Sequence, residues 1–333
     1  MATGIGRRNF ISIVGGATLW PLTARAQRSE KIRRVGVLPA GYRQSDPEGQ
    51  ARVAAFHDTL RKLGWDDDRN VQVEVRWSSN EIEQIRAEAN ALVGSAPDAI
   101  VISSNAALAA LQKLEQTIPT VFVQVSDPVG GGFVDSLARP GRNLTGFQNF
   151  EPSMGGKWLG VLKQVAPAVT RVAMIVRPDT AAHFQFLHEA EAVAPSLGVA
   201  VTAIEVRDDD EAERGVAGFA DAGNGGLVVL PHPGNIKNRA LFIDLTKRLA
   251  LPAIYPFRYF ASNGGLVSYG FDQVEHWRGA AGYVDRILRG ARPADLPVQA
   301  PTKYEFAINL KTARELGLTI SPSLLATADE VIE

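Results

Sequence analysis

The residues that could carry chemistry are few, and their spacing argues against catalysis and against metal binding. The stretch 126–146, SDPVGGGFVDSLARPGRNLTG, is rich in glycine but lacks the lysine of a phosphate-binding loop, and its prolines remove amide donors that a phosphate cradle needs. His183 and His188 are five residues apart, which on a helix points them to different faces, and no His-Glu-x-x-His motif occurs. Ser268 lies within a predicted strand, whereas a nucleophile elbow needs a strand, a sharp turn and a helix. We therefore predict a binding protein without enzymatic activity, bound metal or cofactor.

Length and composition set the class of protein. A chain of 333 residues exceeds what one core usually fills, which favours two domains. The 35 basic and 36 acidic residues nearly cancel, so charge gives no reason to expect nucleic acid or an anionic membrane surface as a partner. Cysteine does not occur, which excludes thiol catalysis, disulfides and a lipid-modified cysteine.

The first 26 residues have the layout of an export signal. Arg7 and Arg8 precede a short apolar run, and Ala24-Arg25-Ala26 offers a small-x-small cleavage site. The run is shorter than the ~20 residues that cross a bilayer. The Arg-Arg-x-Phe-Ile sequence favours the twin-arginine route, with the general secretory route left open. We expect cleavage near Ala26 and a mature protein in the periplasm, with no membrane span of its own.

Strands and helices alternate along the mature chain. Helices of about a dozen residues separate the apolar runs, which is typical of parallel βαβ units. The predicted strands of the first half are 33–40, 71–77, 98–104, 120–126 and 143–148. The alternation of strands and helices then begins again, with predicted strands that include 171–178, 225–232 and 264–272. This pattern predicts an α/β fold of two doubly wound parallel-sheet lobes joined by a multi-crossing hinge.

The domain boundaries follow from that rhythm. The amphipathic helix 273–290 and the strand 303–310 are expected to return to the first lobe. The N-terminal lobe is then 31–148 plus 273–333, and the C-terminal lobe is 149–272. We predict crossings near 148, near 272 and at the far C-terminus, which together form a hinge with a defined closure.

Ligands of open α/β sheets bind beyond the carboxyl ends of the strands, and polar residues cluster there in this sequence. The helix that starts at Asn105 could receive a carboxylate, and Asp272 could meet a cationic or hydroxyl group. Each residue alone could instead cap a helix or fill the core. The glycines after Ser126 permit a tight turn at the cleft rim, which Phe133, Val134 and Leu137 would pack down. The candidate ligand-binding residues are Gly41, Tyr42, Ser103, Ser104, Asn105, Ser126, Asp127, Pro178, His232, Tyr255 and Asp272.

Several long strings resemble one family. SDPVGGGFVDSLARPGRNLTG, LPAIYPFRYFASNGGLVSYG and SLLATADEVIE are similar to the tryptophan/tyrosine-type substrate-binding proteins of ABC transporters, which have a type I periplasmic-binding fold. The resemblance implies an extracytoplasmic solute-binding component of an ABC importer. It would capture an aromatic amino acid or a related small organic acid and deliver it to a permease and an ATPase. It also implies ligand contacts for Ser104 and Ser126, and an α-amino contact for Asp272.

The sequence departs from the family at one point that bears on the solute. His232-Pro233 stands where amino-acid-binding relatives tend to have a Thr-Asp pair. The missing carboxylate weakens the case for an α-amino acid and leaves room for aromatic acids or other small organic anions. An exported sensor that presents its ligand to a membrane receptor is the alternative function. The solute and the oligomeric state stay open.

Overall fold

A computed structural model describes residues 32–67, 69–78 and 81–333, so the predicted export signal 1–26 lies outside the described residues. Helices and strands alternate as the sequence predicts. In chain order they are β1 (Arg33–Leu38), α1 (Pro47–Lys62), β2 (Val71–Val75), α2 (Ile82–Gly94), β3 (Ala99–Ser103), α3 (Asn105–Gln112), β4 (Thr120–Val125), β5 (Leu144–Gln148), α4 (Met154–Val165), β6 (Arg171–Val176), α5 (Ala181–Leu197), β7 (Ala200–Glu205), α6 (Asp209–Ala220), β8 (Gly225–Val229), α7 (Pro233–Lys237), α8 (Arg239–Arg248), β9 (Ala253–Tyr255), α9 (Arg258–Ser262), β10 (Val267–Gly270), α10 (Gln273–Leu288), β11 (Glu305–Asn309), α11 (Leu310–Glu315), α12 (Pro322–Leu325) and β12 (Glu330–Ile332).

The first sheet and the helices on it form lobe 1. Its strands are all parallel in the order β2-β1-β3-β4-β5. The half-exposed β2 lies at the edge, which its alternating sequence predicts. Helices α1 and α10 cover one face, where Phe56 and Trp277 meet edge to face, and α2 and α3 cover the other. Two layers of helices therefore enclose a sheet that is apolar on both faces.

The second sheet and its helices form lobe 2. Its order is β12-β11-β10-β9-β8-β6-β7, with β10 and β11 antiparallel and the other neighbouring pairs parallel. Helix α4 places Trp158 and Leu162 in the same apolar core as Phe186 of α5. The predicted pair of doubly wound lobes is confirmed. Among the described helices, none combines the length and the apolar character that a membrane span requires.

The assignment of 273–333 to lobe 1 is wrong for its second half. Helix α10 does pack on the first sheet, but β11 pairs with β10, with Val267 opposite Ile308, and so extends the second sheet. The segment 305–333 belongs to lobe 2. The apolar pattern of a strand shows that it is buried but not which free sheet edge it joins, so sequence alone could not decide between the two lobes.

Three chain segments connect the lobes. The first follows β5 and the second leads from β10 into α10, as predicted near 148 and 272. The third lies between Gln299 and β11 rather than at the far C-terminus: Gln299 is bridged to Phe147 of lobe 1 before the chain enters lobe 2. Phe150 and Phe271, from the first two connections, pack edge to face at 4.9 Å between ring centroids. The connections are therefore packed against one another.

Candidate functional site

A cavity of about 410 Å³ lies between the two lobes. Its walls come from the carboxyl ends of both sheets and from the connections between them, the position at which open α/β folds bind ligands. The lobes touch at its rim, where Gln185 Nε2 of α5 donates a 2.8 Å hydrogen bond to Asp127 Oδ2 of lobe 1. This hydrogen bond joins the two lobes at the rim of the cavity.

On the lobe 1 side, the start of α3 faces the cavity. Ser104 is the N-cap residue and its Oγ accepts from the Ala107 N–H at 3.3 Å. The amides of Asn105 and Ala106, in the first turn, have no intrahelical acceptor, and both residues line the cavity. Ser104 has φ 78° and ψ 151°, a backbone region that is costly for any residue except glycine. The start of α3 thus brings two amides without intrahelical acceptors and a hydroxyl to the cavity wall, an arrangement suited to binding anions.

Asn105 and Ser126 hold this wall together. Asn105 Nδ2 donates to the Ser126 carbonyl at 2.8 Å, and its Oδ1 accepts from the Ser126 N–H at 2.9 Å. Both residues line the cavity, but both polar atoms of the Asn105 side chain are already bonded to the Ser126 backbone. Asn105 therefore fixes the loop after β4 against α3, and the Ser126 hydroxyl is the group left for a solute.

A bulge turns a further polar side chain toward the cavity. The pairing of β4 with β5 shifts between Phe122 and Val125, and Gln124 has φ 56°. Opposite the bulge, Gly146 has φ 157°, and a Cβ there would lie 2.0 Å from the Phe122 carbonyl oxygen. Gln124 donates to the Tyr42 hydroxyl at 3.4 Å, and both line the cavity. The bulge therefore changes the direction of the Gln124 side chain from the one that regular alternation of side chains along β4 would give it.

A buried polar network forms the lobe 2 wall. His232 lines the cavity, and its Nδ1 accepts from the Gly234 N–H at 3.0 Å, so its neutral ring carries the proton on Nε2. Behind it, His183 Nδ1 accepts from the Arg177 N–H at 2.9 Å. Arg177 Nε donates to Asn235 Oδ1 at 2.9 Å. With the Nε2 of His183 3.2 Å from the Pro231 carbonyl oxygen, the network extends from the cavity surface into lobe 2.

Burial keeps these imidazoles neutral. Desolvation, followed by the charge of Arg177, lowers the pKa of His232 to about 3. Desolvation and the neighbouring His232 ring likewise lower the pKa of His183 to about 3. His232 is therefore a neutral Nε2–H donor at physiological pH. Asp179 Oδ1 lies 3.8 Å from that nitrogen, on a side chain that is largely exposed at the cavity mouth.

The connections between the lobes supply two buried amide side chains. Asn149, which follows β5, is 6% exposed, and its Oδ1 has no hydrogen-bond partner in the described part of the chain. Gln273, the first residue of α10, is 4% exposed and accepts a hydrogen bond from the Arg52 guanidinium. Both line the cavity. An unpartnered buried amide oxygen costs free energy that a solute donor could recover.

The rest of the lining is mostly apolar. The small alanine side chains of α3 and α5 leave space for a solute, and larger apolar side chains surround that space. The apolar lining residues are Ala40, Ile82, Ile85, Ala106, Ala109, Ala110, Phe133, Ala181, Ala182, Pro231, Pro233, Ile236 and Phe257. The cavity suits a solute with an apolar body and a few polar groups.

The structure divides the residues singled out from the sequence. The candidates that line the cavity are Tyr42, Ser104, Asn105, Ser126, Asp127 and His232, and those that do not are Gly41, Ser103, Pro178, Tyr255 and Asp272. The predicted packing of the glycine-rich loop is as observed, since Phe133 and Val134 are buried and Leu137 packs against them.

The candidates outside the cavity have other roles. Gly41 turns the chain at φ 94°, and Ser103 donates to the Ala40 carbonyl. Tyr255 is wrongly predicted to bind the solute: it is fully buried in lobe 2, shares a hydrogen bond with Thr246 and stacks on Phe260. A strand-end aromatic of the right alternation can face the core as easily as the cleft, and only packing decides.

Asp272 is likewise wrongly predicted to contact the solute. Its carboxylate accepts from the Val274 N–H at 2.8 Å as the N-cap of α10. The next residue, Gln273, lines the cavity in its place. Capping is the ordinary role of aspartate before a helix, and it occupies this carboxylate outside the cavity lining.

The sequence analysis missed Gln124, Asn149 and Gln273. Gln124 depends on a bulge, and Asn149 and Gln273 depend on how the connections pass between the lobes. Asn149 follows a predicted strand end directly, so the rule that selected Ser104 could also have selected it. In the described part of the chain, no group of three or more metal-ligating side chains comes together.

Two α/β lobes that close on a cavity lined by helix starts and amide side chains define a solute-binding protein. Residues 45–332 match the family described as ABC transporter substrate binding protein. The chain belongs to that family, and its role is to bind a solute.

Similar proteins agree with the fold. A tyrosine-binding protein of Clostridioides difficile strain R20291 is 21% identical over 296 residues, which cover 87% of this chain and 82% of the relative. An ABC domain from Streptococcus pneumoniae in complex with L-Trp superposes with a TM-score of 0.82 at 24% identity, covering 90% of this chain and 99% of that one. The ligand-free, open form of a substrate-binding protein from Clostridium difficile gives 0.68 at 20% identity, with 90% and 99% covered.

Proposed function

We propose that this protein is the exported solute-capturing component of an ABC importer, and that its solute is a small carboxylic acid with an apolar, aromatic-sized body. An α-amino group is not required for binding. The solute is released chemically unchanged to a membrane permease that a separate ATPase drives. The observation that carries the proposal is the cavity between the lobes, where the first turn of α3, with its free amides, adjoins a largely apolar lining.

The carboxylate of the solute is assigned to the start of α3. The amides of Asn105 and Ala106, with the Ser104 hydroxyl, supply donors at the positive end of a helix dipole. Each hydrogen bond to a charged group contributes about 1.5–3 kcal/mol when desolvated. This wall therefore favours an anion, and the exposed side chains of Arg86 and Lys113, which also line the cavity, add positive charge.

The carboxylates of the lining give little support to an ammonium group. Asp127 already accepts from Gln185 and from the Gly130 N–H at 2.9 Å. Asp179 lies at the mouth with its side chain largely exposed, where water screens its charge. His232-Pro233 stands where amino-acid-binding relatives were expected to carry a Thr-Asp pair, so Pro233 replaces the acid and His232 beside it offers a neutral donor.

The apolar lining supports the solute's body. Phe257 and Ile236 of lobe 2 face Ile85 and Phe133 of lobe 1 across the cavity. A ring held between these side chains removes apolar surface from water at ~25 cal/mol per Å². Relatives described as binding tyrosine or L-Trp support a solute of this size.

The export route and the location are part of the proposal. The predicted export signal supports secretion by the twin-arginine or the general route, with the mature protein in the periplasm. Retention of unprocessed protein in the cytoplasm would contradict it.

A panel of matched acids tests the solute class. Calorimetric titration compares 3-phenylpropionate with L-phenylalanine, and indole-3-propionate with L-tryptophan, so that each pair differs in the amino group. We expect the acid of each pair to bind at least as tightly as the amino acid and to raise the melting temperature in proportion to occupancy.

Three results would count against this function. Binding restricted to the amino acids would show that the site recognises an ammonium group. The absence of binding by every carboxylate in the panel, at millimolar concentration, would remove the carboxylate assignment. Recovered solute that has been chemically altered would indicate an enzyme instead.

A further inference from the structure

Arg52 of α1 is a buried cation directly behind the cavity wall. It is 1% exposed, and its guanidinium lies 4.8 Å from the ring centroid of Tyr42 in lobe 1 and 5.8 Å from that of Tyr259 in lobe 2. Its nearest carboxylate, Glu48, is 3.4 Å from Nη2 and partly exposed. Nε and Nη1 have no hydrogen-bond partner among the residues that the structure describes. This positive charge is therefore only partly compensated.

The contact between Arg52 and Gln273 fixes the direction of the Gln273 amide. A guanidinium has five donors and no acceptor, so only the amide oxygen of Gln273 can face it. Oε1 accepts from Arg52 Nη2, and Nε2 is left without an acceptor within the described ranges. Because Gln273 lines the cavity, its N–H is the group that a solute meets.

We propose that Arg52 and Gln273 make this wall a dedicated hydrogen-bond donor, so that the preferred solute carries a second acceptor, such as another carboxylate, in addition to the carboxylate at α3. Gln273 contacts the solute and Arg52 is a positioning residue. This proposal rests on the proposed function and narrows its solute class. The residue before Gln273, Asp272, was expected to receive an amine; the structure presents the opposite polarity.

Probes of opposite polarity test this wall. Terephthalate and 3-(4-carboxyphenyl)propionate carry a second carboxylate. 4-(Aminomethyl)benzoate and 3-[4-(aminomethyl)phenyl]propionate place an ammonium group there at similar length. We expect the wild-type protein to prefer the dicarboxylate of at least one pair by about tenfold or more, which corresponds to one hydrogen bond to a charged group.

Gln273→Glu should invert this preference. The new carboxylate pairs with Arg52 and turns an oxygen toward the cavity, which attracts the ammonium probe and repels the dicarboxylate. Gln50→Glu is the matched control, because Gln50 lies exposed on α1 and bonds to the Gln44 carbonyl away from the cavity. The control should keep the wild-type preference.

Arg52→Met should reduce the ratio between paired probes toward one, because Gln273 can then present either end of its amide. Benzoate, which lacks a second group, should lose less affinity than the dicarboxylates do. Arg52→Lys should restore part of the ratio, and Arg61→Met, an exposed site on the same helix, should leave it intact. A purely structural role for Arg52 would weaken all probes alike.

The outcomes separate this inference from the proposed function. Binding of benzoate or 3-phenylpropionate without any preference among the paired probes overturns the inference alone. A wild-type preference for the ammonium probes does the same. If no carboxylate binds, both the inference and the proposed function are overturned. If Arg52→Met does not fold, the inversion by Gln273→Glu decides.

Discussion

The two walls of the cavity are built by different means. On lobe 1, three cavity residues, Ser104, Gln124 and Asp127, have φ of 78°, 56° and 44°. None of the lobe 2 residues that line the cavity has a positive φ; that wall depends on a buried hydrogen-bond network around Arg177. Lobe 1 therefore places its polar groups through backbone conformation, and lobe 2 through side-chain burial.

This difference predicts distinct sensitivities. A buried network loses free energy when one partner is removed or when pH charges a member, since the remaining groups cannot reach water. A strained backbone can even gain stability when its residue becomes glycine. Lobe 2 should therefore be the fragile wall in stability, and lobe 1 the sensitive wall in binding.

The largest expected effect is that of acid on lobe 2. The pKa values of His183 and His232 are held at about 3 in the folded protein, against about 6.5 unfolded. The unfolded chain therefore binds more protons below pH 6.5, and stability falls as pH falls from about 6.5 toward 3. At pH 5 each histidine costs roughly 2 kcal/mol. Urea unfolding at pH 7.5 and pH 5 measures the loss, to which His276 of α10 in lobe 1 also contributes, because burial lowers its pKa to about 3.

His232→Asn isolates one share of that loss, because an amide oxygen can still accept from Gly234 but does not titrate. The difference between the two pH values should shrink by roughly 2 kcal/mol. His188→Asn, at an exposed site on α5, should leave it in place. An unchanged difference in His232→Asn would show that this ring is not held neutral by the fold.

The next effect is that of Asn235→Leu. Asn235 accepts from Arg177 Nε and donates to the Leu230 carbonyl at 2.9 Å. Leucine has a similar size but leaves a buried cation and a carbonyl without partners, and we expect a loss of about 3 kcal/mol in urea unfolding. Asn238, three residues further along the chain, is partly exposed and donates to Asp209 Oδ1 instead, so Asn238→Leu should cost less than about 1 kcal/mol. Equal losses of stability in the two variants would show that the hydrogen-bond network around Arg177 does not stabilise lobe 2.

The smallest effect separates strain from hydrogen bonding at Ser104. Alanine and glycine both remove the cap, but only glycine relieves the backbone at φ 78°. We expect Ser104→Gly to be more stable than Ser104→Ala by about 1–2 kcal/mol. Both variants should weaken the binding of 3-phenylpropionate by a similar factor, since both lose the hydroxyl. Equal stabilities would mean that the backbone at Ser104 is not strained.

Sequence reasoning predicted the elements better than it predicted the site. Alternation and helical spacing located the strands from β1 to β5 and the edge position of β2, because those patterns follow from burial of each element. The rule for strand ends selected Ser104, Ser126 and His232, which line the cavity. It failed at Tyr255 and Asp272, where packing and helix capping took the side chains.

By itself, the sequence determined two α/β lobes, a cleft at the carboxyl ends of their strands and the lack of a thiol or metal-binding motif. Tertiary structure decided which sheet receives β11, because a free sheet edge is recognised by pairing and not by local pattern. It also decided the polarity of the cavity wall at Gln273. The orientation of that amide depends on Arg52, 221 residues away in the chain, and no local sequence signal carries such a contact.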